Sequence, residues 1–115
     1  MAEHIGSMEL YHITPLVNLP YILRRGLVPK LGGTFADVDP YRDYGKRVFL
    51  TEEPEDVLDF ARKFDTDWAV IKVQLPPKTR LYSDPGSPGR KHYYIRRRLP
   101  PEYLQVDRIL KAGKW

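Results

Sequence analysis

"LYHITPLVNLPYILRRGL", residues 10–27, decides how the rest of the chain is read. Residues 8–13 alternate, with Leu10 and His12 on one face and Tyr11 and Ile13 on the other, so they form a first strand. From Leu19 the apolar spacing changes to threes and fours through Leu19, Ile22 and Leu23, which anchor a helix. Asn18 stands at the cap position, Pro20 falls in the first turn where its missing N–H costs nothing, and Gly26 supplies the left-handed stop. The spacing predicts a short helix over 19–25. On local grounds His12 is either a structural strand-end histidine or part of a nucleotide-binding edge, and Thr14 and Asn18 are either caps or its polar neighbours.

Working outward, residues 28–46 hold no period, and "PKLGG", "DVDP" and "DYG" punctuate a loop. A connection this long tends to be a lid or binding loop, here offering Tyr41, Arg42 and Tyr44. "RVFLT" (47–51) reads as a strand. "EEPEDVLDFARKF" (52–64) reads as a helix with proline in its first turn, acids at its positive end, and Val57, Leu58, Ala61 and Phe64 on one face. "DWAVIKVQL" (67–75) is a further strand with Ala69, Ile71, Val73 and Leu75 facing one way, ended by two prolines. "TRLYSD", "KHYYIRR" and "VDRILK" are shorter strands, and "PGSPG" is a turn. Helices are too few after residue 65 for a doubly wound parallel sheet, so the fold class is α+β with two short helices in the N-terminal half.

The 115 residues suit one domain over 8–115, with residues 1–7 read as a tag remnant ending in a "GS" scar. With no cysteine and three histidines, thiolate and structural-zinc sites are excluded and no metal is expected. No apolar run reaches membrane-spanning length and the start lacks a secretory core, so the expected location is cytoplasmic, without a membrane partner. The net charge of +4 and pI near 9.4 favour anionic partners. The positive charge gathers at Arg24–Arg25, at "YRDYGKR" and at "GRKHYYIRRR", each beside an aromatic residue or a glycine.

Taken together, "LYHIT", "NLPYILRRGLVP", "GKRVFLTEEPEDVLDFA" and "YYIRRRLPPEYLQVDRI" resemble the ADP-ribosyltransferase fold, in particular DarT-type DNA ADP-ribosyltransferases and KptA-type RNA 2'-phosphotransferases, across residues 8–109. The resemblance implies a split, strongly bent β-sandwich that holds NAD in a cleft. It implies that His12 holds the adenine-side ribose beside Thr14 and Asn18, and that Phe49 replaces the family's stacking tyrosine. Gly26, Arg42 and Thr51 complete the implied cofactor set, with Arg42 brought to the pyrophosphate by the loop.

The family's third motif places a glutamate on the strand before the "LPPEYL" corner, where this chain reads "RKHYYIRRR" without a carboxylate. His92 falls at about that position. The glutamate's work is electrostatic: nicotinamide departure leaves positive charge on the ribose, which a carboxylate stabilises while accepting the acceptor's proton. Glu102, Asp84 and Glu52 are the acids able to substitute, and Glu102 lies nearest the corner. His92 and Glu102 are therefore the catalytic candidates. The expected activity is NAD-dependent ADP-ribosyl transfer to DNA or protein. One alternative is 2'-phosphate transfer from RNA, with Arg90, Arg96 and Arg98 clamping phosphate; the other is a silent module that binds NAD or nucleic acid.

Overall fold

Residues 68–71 are apolar and buried on both sides, and β2 and β8 pair along the strand that contains them. The computed structural model describes residues 2–3, 9–31, 46–84 and 91–115. Its strands are β1 (Ala2–Glu3), β2 (Glu9–Pro15), β3 (Lys30–Leu31), β4 (Lys46–Thr51), β5 (Trp68–Gln74), β6 (Arg80–Ser83), β7 (His92–Ile95) and β8 (Leu104–Leu110); α1 is Leu19–Arg25 and α2 is Pro54–Ala61. On β5, Ala69, Ile71 and Val73 join the larger core cluster with Leu10, Ile22, Leu50 and Ile95. Trp68 and Val70 point the other way and pack with Ile13, Leu58 and Ala61. Sequence alternation assigned one buried face to this strand. The second is buried because α2 lies across it.

The continuous part of the sheet runs β6-β7-β4-β2-β5-β8, and every pairing is antiparallel. This is an α+β fold. Ala2 and Glu3, within the stretch read as a tag remnant, pair with Leu81 and Arg80 at the β6 edge. β3 pairs with the start of β4 through Lys30↔Arg47 and Leu31↔Lys46. The two sides of β2 differ. Against β5 it is registered along its whole length, from Glu9↔Gln74 to Pro15↔Trp68, whereas against β4 the only registered pair is Tyr11↔Thr51. The sheet is therefore split beyond Tyr11.

α1 has the predicted bounds, but its entry differs from a side-chain cap. Asn18 is itself in right-handed helical geometry at the end of a single turn, Leu16–Asn18, and caps nothing. Its Nδ2 instead donates to Thr14 Oγ1 at 3.1 Å. Leu19 and Ile22 are buried while Leu23 is exposed, because so short a helix buries only a narrow stripe.

The far end of α1 is tied to residues 98–99. Gly26 has φ +84° and donates its N–H to Ile22 O at 2.8 Å, then Leu27 and Leu99 exchange backbone hydrogen bonds, each of 2.9 Å. Arg98 Nε donates to Arg25 O at 2.8 Å, neutralising a carbonyl at the negative end of the helix.

α2 is shorter than its sequence pattern, ending at Ala61, and Phe64 lies beyond it, exposed. Its entry is held by Thr51, whose buried hydroxyl accepts the Glu53 N–H at 2.9 Å and donates to Lys91 O at 3.3 Å. Thr51→Val should leave the Glu53 N–H without its acceptor, while Lys91 O keeps the Glu52 N–H at 3.0 Å, and should lower stability by ~1 kcal/mol, measured by chemical denaturation.

The proposed lid residues Tyr41, Arg42 and Tyr44, the turn 85–89, and Arg90 lie outside the described residues. Among the described residues, no helix is long and apolar enough to cross a membrane and no cluster of three or more His, Asp or Glu side chains is arranged for a metal ion.

Candidate nucleotide-binding cleft

The split between β2 and β4 places a backbone carbonyl opposite a histidine. Beyond Tyr11↔Thr51 the strands stop exchanging ladder hydrogen bonds, and His12 reaches across so that its Nδ1 lies 2.7 Å from Phe49 O. A carbonyl only accepts, so Nδ1 carries the proton and, in the neutral ring, Nε2 carries the lone pair. The imidazole thus does the work of a ladder bond while its orientation and tautomer are set.

Next to this bridge is a cleft of about 460 Å³, a size ordinary for small-ligand sites. β2 contributes His12, Thr14 and Pro15; the following turn and α1 contribute Asn18, Tyr21, Ile22 and Arg25. Gly26, Leu27 and Val28 close one side, and Arg47, Val48 and Phe49 of β4 form the facing wall. Because Asn18 donates to the Thr14 hydroxyl, that hydroxyl keeps its own proton to donate.

Packing outside the cleft positions the β4 wall. The Phe49 ring meets Tyr94 at a 6.2 Å centroid distance and 57° tilt, and Tyr94 stacks on Tyr82 at 5.1 Å and 11°. The Arg47 guanidinium lies 4.2 Å from the Tyr94 ring centroid, a cation–π contact that holds its charge beside the cleft. With Arg25 on the opposite wall and no Asp or Glu among the described lining residues, the cleft is cationic.

Five of the sequence-derived candidates, His12, Thr14, Asn18, Gly26 and Phe49, therefore share one cleft. The others sit elsewhere or are undescribed. Thr51 holds the α2 entry. His92 pairs with Thr51 across the sheet and turns its Nε2 to Asp56 of α2, 3.6 Å from a carboxylate oxygen. Nearby, the Tyr93 hydroxyl donates to Glu52 at 3.3 Å, and burial, together with that carboxylate, raises the phenol's pKa. It remains a donor at neutral pH.

Glu102 is exposed on the turn Pro101–Tyr103, which lies against α1, and is not among the cleft's lining residues. Arg96 extends over Tyr82 and Tyr94, at 5.4 and 5.7 Å from their ring centroids, and Arg98 is engaged by α1. Arg42 and Arg90 lie outside the described residues.

Tyr21 and Arg25 are cleft residues that the sequence reading did not assign to the cofactor. The signal was present: Asn18, Tyr21, Ile22 and Arg25 fall at i, i+3, i+4 and i+7, a single face of the helix. On that face the sequence reading takes Asn18 as cap or polar neighbour and Ile22 as core.

No protein-family model matches the chain, and neither a curated protein nor a solved structure is similar to it at a significant level.

Proposed function

We propose that the cleft between β2 and β4 binds NAD and that the protein is an ADP-ribosyltransferase-like enzyme acting on a macromolecular acceptor, DNA or protein. The observation that carries this reading is the convergence of His12, Thr14, Asn18 and Phe49, from two separated strands and a turn, on one cationic cleft at a split in the sheet. It is also the constellation implied by the resemblance to the ADP-ribosyltransferase fold.

In this reading His12 Nε2 accepts a hydrogen bond from a ribose hydroxyl, its orientation fixed by the Phe49 carbonyl. The Thr14 hydroxyl donates to a neighbouring oxygen, and Arg25 and Arg47 make charge-assisted hydrogen bonds to the pyrophosphate. The transfer breaks the bond between the nicotinamide nitrogen and the ribose anomeric carbon, whose electron pair leaves with nicotinamide. The acceptor's nucleophile then bonds to that carbon and loses its proton to a base. Glu102 is the acid proposed to stabilise the charge and take the proton; it stands exposed on the turn that lies against α1.

A second reading is supported by the charge of the walls. Two arginines and no carboxylate among the described lining residues suit an acceptor that is already ionised, such as a 2'-phosphate on RNA, because no proton has to be removed from it.

NAD consumption with DNA, protein and 2'-phosphorylated RNA offered separately distinguishes these readings. For DNA or protein transfer, Glu102→Gln should lower turnover at least ~100-fold with little loss of NAD affinity, since the interaction lost belongs mainly to the transition state. For 2'-phosphate transfer the same variant should retain wild-type turnover. NAD binding with no turnover on any acceptor would overturn both enzymatic readings in favour of a silent NAD-binding module.

A further inference from the structure

The geometry points to Tyr21 as the stacking surface for the adenine of the bound dinucleotide, making the α1 wall an adenosine-selective subsite; this rests on the NAD reading of the cleft. Tyr21 lines the cleft, yet the residue is 57 % exposed. Leu19 and Ile22, both buried, attach α1 to the core, so Tyr21 is held in place without itself being needed to hold the helix. Val28, also exposed, adds a second apolar surface to the lining. A flat heteroaromatic ring placed against Tyr21 gains stacking and removes exposed apolar area from water.

Charge decides which end of NAD belongs there. The Arg24 guanidinium stands 5.4 Å from the Tyr21 ring centroid, and Arg25 follows on the same helix as a cleft residue. The oxidised nicotinamide ring is a cation and is repelled by these two charges, whereas adenine is neutral and its adjoining phosphates are attracted. His12 lies in the same cleft, where a ribose attached to that adenine meets it.

Calorimetric titration of wild type, Tyr21→Phe and Tyr21→Ala with NAD, ADP-ribose and nicotinamide mononucleotide tests the assignment. Wild type should bind NAD and ADP-ribose with similar affinity. Tyr21→Ala should weaken both by roughly 5- to 150-fold, the range for loss of one base–aromatic stack, while Tyr21→Phe stays within about threefold of wild type. Affinity for nicotinamide mononucleotide, which has no adenine, should be the same in all three proteins. Since Tyr21 is largely exposed, thermal melts of the variants should match wild type, so loss of binding is not loss of fold. Undiminished ADP-ribose binding by Tyr21→Ala, or an equal loss for nicotinamide mononucleotide, would overturn the adenine assignment while leaving the NAD reading intact. Failure of wild type to bind NAD or ADP-ribose would overturn both.

Discussion

His12→Ala should reduce NAD affinity by about 10-fold, from loss of a hydrogen bond to the ligand. It should also lower stability by ~1–2 kcal/mol, because the Phe49 carbonyl loses the His12 N–H that reaches it beyond the single registered pair of β2 and β4. The two effects separate in His12→Gln. Its amide can donate to the carbonyl and recover part of the stability, but it does not present a fixed ring nitrogen towards the ligand. Calorimetric titration with NAD gives the first quantity and urea unfolding the second. Wild-type NAD affinity in His12→Ala would remove the histidine from the site and leave it only the structural role of bridging the split.

Gly26→Ala should be the most damaging of these substitutions for the fold. At φ +84° a side chain is strained, and a Cβ built there would overlap the carbonyl oxygen of Leu99. That carbonyl accepts from Leu27 N–H, so it cannot withdraw without breaking the bridge that ties the end of α1 to residue 99. Strain and overpacking together should cost about 3 kcal/mol or more, a fall in melting temperature of roughly 10 °C or more. Gly113 separates the two contributions. Its φ is +75°, but nothing lies within 4 Å of a Cβ at that position. Gly113→Ala should therefore lose only the conformational part, ~1 kcal/mol. Equal losses at the two glycines would mean that the Leu99 contact adds nothing.

Gly26 also illustrates what could be read from the sequence. Its role as a helix stop follows from local spacing, and the helix over 19–25 has the predicted bounds. Its contact with Leu99 joins residues far apart in the chain, and nothing in the sequence near either residue signals it. The same division recurs elsewhere. Alternation in residues 67–75 located a strand and one of its faces, but burial of Trp68 and Val70 depends on α2 crossing the other face. Asn18 has the residue type and position of a cap, yet the backbone enters the helix through a turn and its amide is spent on Thr14.

For the site, motifs point to His12 and Phe49, while the feature that brings them together is the separation of β2 from β4 after one registered pair. Strand neighbours are a tertiary property, and no local pattern encodes where two strands part. Tyr21 is hard to place from sequence for a related reason. On a seven-residue helix an aromatic at i+3 from Asn18 reads equally well as core or as surface until the neighbouring wall is known. His92 shows the reverse case. Its position in the motif made it a catalytic candidate, but the pairing of β7 with β4 turns it to Asp56.

The most direct test of the NAD cleft is amide chemical-shift mapping by NMR during titration with NAD. The predicted result is saturable movement of the amides of His12, Thr14, Tyr21, Arg47 and Phe49, which come from three elements and meet only in this cleft. No movement of these amides at millimolar NAD, or movement centred instead on His92 and Asp56 at the α2 side of the sheet, would contradict it.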